Sequence, residues 1–196
     1  IEKAFQDVPD KTALGFLGID VTFGELSDYA NRFANMLVEN GFKKGDVVGI
    51  NLPNIPQYVI SVIGTLRAGC VVSGVSPLLS AEQIKYQLNN LGSTGKKVAL
   101  VTLDAIFAGH LVKIASDIPQ LKLVVATSVA SFLPKIKQFM GKLLKKIPSG
   151  KVTPLPGITV LDYHKDVFVR YGTKTVSVDL TPDDLGWIQY TGGTTG

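Results

Sequence analysis

The sequence predicts an α/β fold, a largely parallel sheet with helices on both faces. Apolar runs such as Val47-Val48-Gly49-Ile50 and Val98-Ala99-Leu100-Val101 alternate with segments whose apolar residues recur at helical spacing. Strands with one wet face would alternate polar with apolar, so continuous runs mean cover on both sides. Of the 196 residues, 45% are apolar and 18% charged, which excludes a disordered chain. That length holds one α/β domain with a sizeable core, or one domain and part of another.

Thr12-Ala13-Leu14-Gly15-Phe16 and Ile19-Asp20-Val21 read as a small hairpin around Leu17-Gly18. Thr22 with Glu25 three residues on forms a capping box, opening a helix whose apolar face is Leu26, Tyr29, Ala30, Phe33, Ala34 and Leu37. Asn40-Gly41 ends it. Val47 to Leu52 is a buried strand, Gln57 to Ala68 a helix, and Cys70 to Val75 the next strand. The apolar run Tyr58–Leu79 could pass for a membrane span of about 20 residues. Arg67 in its middle, the breaks at Gly64, Gly69 and Gly74, and Pro77 favour two short elements instead.

Ser80-Ala81-Glu82-Gln83 caps a third helix through Leu91. Lys97 to Thr102 is a strand, Ala105 to Ser116 a helix with Ile106, Leu111, Ile114 and Ala115 inward, and Leu121 to Ala126 another strand. After a Pro-rich loop, Ile158 to Leu161 is a short strand and Tyr163 to Tyr171 a short helix. Right-handed crossovers would wind such a chain onto both faces of one sheet.

The net charge is +4, and its excess is local. Over 132–147, Phe132, Ile136, Phe139, Met140, Leu143, Leu144 and Ile147 trace one helical face, and Lys135, Lys137, Lys142, Lys145 and Lys146 carry the rest with no acid between them. Such a helix suits a membrane interface bearing anionic headgroups. The plainer reading is a helix packed on its own domain with a solvated lysine face. Nucleic acid is disfavoured, because no arginines or aromatics are interleaved to meet bases.

Catalytic side chains are scarce. Cys70 is the single cysteine, has no partner at ligand spacing, and reads as a small buried hydrophobe of a reducing compartment. His110 and His164 sit at no metal-ligand spacing and read as structural. Asp183-Asp184 beside Pro182 reads as a solvated turn, and no Gly-x-Ser-x-Gly elbow is present. The start at Ile1-Glu2-Lys3 lacks the order of a signal peptide.

The most informative stretch is the last. Trp187 to Tyr190 is aromatic and β-branched, fit for a short buried strand, and Thr191-Gly192-Gly193-Thr194-Thr195-Gly196 follows. Glycines let successive N–H groups converge on one anion, and threonine hydroxyls add donors. A flexible turn is the plain alternative. The nucleotide-triphosphatase pattern G-x-x-x-x-G-K-[ST] is not completed here, so the kind of phosphate site stays open on local grounds.

Taken with the order of elements before it, this stretch resembles the phosphate-loop signature of the acyl-adenylate-forming enzymes. Within that superfamily the chain is similar to the bacterial long-chain fatty-acid–CoA ligases. Tyr190 to Gly196, Thr22-Phe23-Gly24-Glu25-Leu26, Gly45-Asp46-Val47-Val48, Leu52-Pro53-Asn54, Ala68-Gly69 and Thr181-Pro182-Asp183-Asp184-Leu185 carry the likeness. The resemblance implies a partial N-terminal AMP-binding domain over 1–196, a basic helix at about 132–147 and a truncated phosphate loop at 190–196. It implies ATP, Mg²⁺ and coenzyme A as cofactor and co-substrates, and a long-chain fatty acid as the other partner. Thr191, Gly192, Gly193, Thr194, Thr195 and Gly196 become the phosphate-binding residues, with Thr191 a candidate Mg²⁺ contact and no catalytic residue assigned. The signature's lysine falls beyond Gly196, so the expectation is a fragment inactive by itself. The expected location is cytoplasmic, with the lysines on the inner face of the membrane. The rival readings are another adenylate-forming enzyme (an aryl or short-chain ligase, an adenylation module) and a stand-alone nucleotide- or membrane-binding module.

Overall fold

The computed structural model describes residues 1–132 and 148–191. Helix α1 (Glu2–Asp7) leads into β1 (Thr12–Phe16) and β2 (Ile19–Thr22), the expected antiparallel hairpin with Phe16 opposite Ile19. Helix α2 (Phe23–Glu39) begins at a reciprocal cap. The Glu25 N–H donates to Thr22 Oγ1 at 3.2 Å, and the Thr22 N–H to Glu25 Oε2 at 2.9 Å. Helix α4 (Ala81–Leu91) uses the same device through Ser80 and Gln83. Helix α3 (Pro56–Arg67) has no side-chain cap and starts with proline, whose missing N–H costs nothing in a first turn.

The strands are β3 (Val47–Asn51), β4 (Val71–Gly74), β5 (Val98–Leu103), β6 (Leu121–Thr127), β7 (Thr159–Asp162) and β8 (Trp187–Ile188). They form one sheet in the order β7-β6-β5-β3-β4-β8, with every neighbouring pair parallel. On one face Val48, Ile50, Val101, Leu123 and Val125 pack with Phe33 and Leu37 of α2, Ile60 of α3 and Tyr163. On the other, Val47, Val71, Leu100 and Val124 meet Ile84 and Leu88 of α4 and Phe107 and Leu111. Alternate residues of each strand thus enter different cores, which is why the strands read as unbroken apolar runs. The run Tyr58–Leu79 resolves into α3 and β4 separated at Gly69, and no helix among the described residues is long and apolar enough to cross a membrane.

Some elements depart from expectation. The helix expected from Ala105 to Ser116 is a composite segment, 104–117. A π turn at Phe107–Leu111 interrupts it, a 3₁₀ turn at Ala115–Asp117 closes it, and Phe107 rather than Ile106 is the buried residue. Gly109 lies inside the π turn, where weak helix propensity lowers the cost of widening the coil. The short helix after β7 likewise starts with a π turn, Tyr163–Val167, and ends at Arg170. The last strand stops at Ile188, not Tyr190.

Between Arg170 and β8 the chain crosses from one edge of the sheet to the other as a strap over α2. Polar side chains hold its carbonyls. Asn31 Nδ2 donates to Thr173 O at 2.9 Å, and Asn35 Nδ2 to Gly172 O at 3.0 Å and Lys174 O at 2.8 Å. Lys44 Nζ donates to Asp179 O at 2.8 Å and pairs with Asp184 at 2.7 Å. That strap delivers β8 beside β4.

Candidate functional site

Parallel pairing fixes where the chain goes after β8. Val72 lies opposite Trp187 and Ser73 opposite Ile188, so the following residues emerge at the carboxyl edge of the sheet, alongside the turn leaving β4. Open α/β sheets bind ligands at that edge. A cleft of about 590 Å³ opens there, within the usual range for small-molecule sites. Its walls include Gly74 at the end of β4 and Ser76 just after it, Gln83, Tyr86 and Gln87 of α4, and Thr191.

Each wall has a cause in the local sequence. Gln83 and Gln87 stand four residues apart on α4, as do Glu82 and Tyr86, so both pairs share a helix face. The floor is set by a buried clamp. Asn51 Nδ2 donates to Val75 O at 3.1 Å and Ser76 O at 2.9 Å, and its Oδ1 accepts from Thr102 Oγ1 at 2.8 Å. The clamp ties the carboxyl ends of β3, β5 and β4 together. Glu82 is the one carboxylate in the lining and is engaged by Lys85 at 2.7 Å. Gln87 Oε1 is buried without a hydrogen-bond partner among the described residues.

Of the expected phosphate-binding residues, Thr191 lies in the cleft lining. Gly192, Gly193, Thr194, Thr195 and Gly196 lie outside the described residues, as do Lys135, Lys137, Lys142, Lys145 and Lys146 of the basic helix. Phe132, where that helix was expected to begin, packs edge-on against Tyr29, His164 and Phe168. Sequence reasoning missed the α4 wall and the Asn51–Thr102 clamp. A signal existed for the clamp, since Asn51 is the polar residue of an otherwise apolar strand.

Cys70, His110, His164 and Asp184 stay out of the cleft. Cys70 is 1% exposed, and burial, then the Asp46 carboxylate, pushes its thiol up to about 12, so it stays protonated and unreactive. His164 sits among aromatic rings. Burial lowers its pKa against the opposing pull of Asp162, and its Nε2 has no partner among the described residues. His110 Nδ1 is likewise buried and unpartnered among the described residues. Asp184 accepts from Lys44 and from the Thr181 N–H, which holds its carboxyl below the usual range and confirms the turn role. No three His, Cys, Asp or Glu among the described residues converge as a metal site. The cleft is therefore lined by hydroxyls, carboxamides, the phenols of Tyr86 and Tyr190, and the Glu82 carboxylate that Lys85 engages.

Comparison with known proteins agrees with this geometry. The sequence model of the family described as "AMP-binding enzyme" matches residues 1–196. The long-chain-fatty-acid–CoA ligase of Bacillus subtilis (strain 168) is 33% identical over 199 residues, covering 96% of this chain and 32% of that protein. The enzyme of the same name from Escherichia coli O6:H1 is 30% identical over 200 residues, covering 100% of this chain and 34% of that protein. The chain thus spans about a third of the length of these relatives. Among solved structures, the anthranilate CoA ligase AuaEII in complex with anthranoyl-AMP superposes with a TM-score of 0.77 at 21% identity, over 100% of this chain and 32% of that one. A Mycobacterium tuberculosis fatty acyl CoA synthetase gives 0.62 at 17% identity, over 97% and 31%. The family match and the parallel sheet agree, and this chain belongs to the AMP-binding enzyme family.

Proposed function

We propose that this chain is the nucleotide-side part of an ATP-dependent long-chain fatty-acid–CoA ligase. The observation that carries the substrate class is the identity of 30–33% to ligases of that name over essentially the whole chain. The similarity to AuaEII lies at 21% identity and speaks to fold alone.

In the proposed reaction a carboxylate oxygen of the fatty acid attacks the α-phosphorus of ATP, and the bond to the β-phosphate oxygen breaks. Acyl-AMP and pyrophosphate result. The coenzyme A sulfur then bonds to the acyl carbon, the acyl–oxygen bond to AMP breaks, and the thiol proton is lost. This chain's share is the departing pyrophosphate. Donors fixed where charge accumulates stabilise the transition state without reorganising. Thr191 supplies a hydroxyl at the cleft, and Gly192 to Gly196 would extend it with backbone N–H groups and threonine hydroxyls. Mg²⁺, when bound, neutralises phosphate charge. The described residues offer it the Thr191 oxygen and no carboxylate cluster. The cytoplasmic face of the membrane, reached through the lysines of 132–147, is the proposed place of work.

The test is fatty-acid-dependent pyrophosphate release by the full-length protein. Thr191→Val is expected to lower kcat/KM for ATP about tenfold, the loss of a hydrogen bond to a charged group. This chain alone is expected to release none. Release with an aryl acid but not with a long-chain acid would sink the substrate class, and an unaltered Thr191→Val enzyme would remove Thr191 from the site.

A further inference from the structure

Tyr190 precedes Thr191, the first residue of the threonine-glycine run. Its phenol donates to Asn90 Oδ1, one hundred residues earlier near the end of α4. The ring lines the 590 Å³ cleft and also a second cavity of about 430 Å³, bounded by Val47, Val71, Asn90, Leu91 and Ile188. Tyr190 is thus the wall between the two, and its hydroxyl pins that wall to the facing helix.

Among the described residues, little else holds the backbone at this point. Strand β8 is two residues long, and its ladder to β4 is short. Side chains take over from the ladder. Trp187 Nε1 donates to Gln189 Oε1 at 3.1 Å, and Gln189 Nε2 donates to Tyr190 O at 3.0 Å. Tyr190 is held at its carbonyl from behind and at its hydroxyl from across the cleft. Burial, then the neighbouring Tyr86, raises the pKa of the phenol, so it remains a donor at neutral pH.

We propose that the Tyr190–Asn90 hydrogen bond is a latch that fixes Thr191 at the cleft, making both side chains positioning residues for phosphate binding there. The proposal rests on the phosphate-site reading of Thr191 given above. A ring that only filled space would be replaced by phenylalanine without consequence. A latch would not, because the hydroxyl is the part that reaches α4.

The test compares the 196-residue chain with Tyr190→Phe, Asn90→Leu and the double variant. Pyrophosphate is titrated calorimetrically, thermal midpoints are recorded, and the indole N–H resonance of Trp187, the single tryptophan, is followed by NMR. Each single variant is expected to bind pyrophosphate about three- to tenfold more weakly, as for one hydrogen bond lost. The double variant should be no weaker than the worse single, because both remove the same contact. Thermal midpoints should stay close to the parent's, and the indole resonance should shift in both singles through the Gln189 link. Parent-like affinity in Tyr190→Phe, or losses that add, overturns the latch. If the parent chain itself does not bind pyrophosphate, the phosphate-site reading for this chain fails. The indole resonance still decides the latch, and if it is unmoved in both singles the latch is overturned.

Discussion

Leu17 and Gly18 turn β1 into β2 with φ of +50° and +78°. Two positive values in a two-residue loop match the type I′ hairpin, whose twist suits the flanking strands and whose first position favours asparagine. Leucine has no such preference, and an L-residue in the left-handed region costs about 1–2 kcal/mol. Leu17 is 61% exposed, so its replacement forfeits little burial. Leu17→Asn is expected to stabilise the chain by about 1 kcal/mol, raising the melting midpoint by about 2–4 °C. A melt showing no rise would mean that the leucine side chain compensates for its backbone. At this scale the sequence was legible wherever a residue's role is local. The hairpin turn at Leu17-Gly18, the caps at Thr22 and Ser80, and the buried thiol of Cys70 were all readable, because their partners lie within a few positions or are simply the core. Asn51 and Gln57 were not. Asn51 is satisfied by Thr102 and Ser76, and Gln57 Nε2 by Thr127 at 3.1 Å, partners that only the folded sheet brings close.

Between elements, α2 and α3 approach closely at Gly64. A Cβ built there would lie 2.7 Å from Ala30 O, 2.8 Å from Phe33 Cβ and 2.9 Å from Phe33 Cδ1. The helices would have to separate, since a backbone carbonyl cannot turn aside as a side chain can. Alanine gains about 1 kcal/mol in helix propensity, and overpacking costs about 1–3 kcal/mol. The carbonyl contact places Gly64→Ala at the costly end, with a net loss of about 2 kcal/mol in urea unfolding. Gly109 provides the contrast. No described residue comes within 4 Å of its added Cβ, so Gly109→Ala is expected not to destabilise the chain. Equal effects from the two substitutions would refute the packing account. Element types followed from periodicity and caps, and the short pieces escaped. Helix α1 has six residues, too few to hold itself in water. Arg67 fixes it from α3, meeting Glu2 at 2.9 Å and lying over the Phe5 ring at 4.9 Å. Nothing within the first ten residues announces that anchor.

For the whole molecule, the strand order was out of reach, because right-handed crossovers allow several orders for the same alternation. So was the strap over α2, which is held through backbone carbonyls that carry no side-chain signature. Charge, in contrast, is fully readable. Removing Lys135, Lys137, Lys142, Lys145 and Lys146 from a net +4 leaves −1, so the remainder of the chain offers an anionic surface no net attraction. The stretch 132–147, with five lysines and no acid, is the densest run of positive charge in the sequence. Each lysine near an anionic bilayer contributes about 1 kcal/mol. Replacing Lys142, Lys145 and Lys146 with Gln should therefore weaken co-sedimentation with phosphatidylserine vesicles on the order of a hundredfold, while the apolar face stays intact. Raised salt should weaken the parent chain in the same direction, since a surface field decays within a Debye length of about 10 Å at 0.1 M. Binding that survives both treatments unchanged would return the lysines to the role of a solvated face on a helix packed against its own domain.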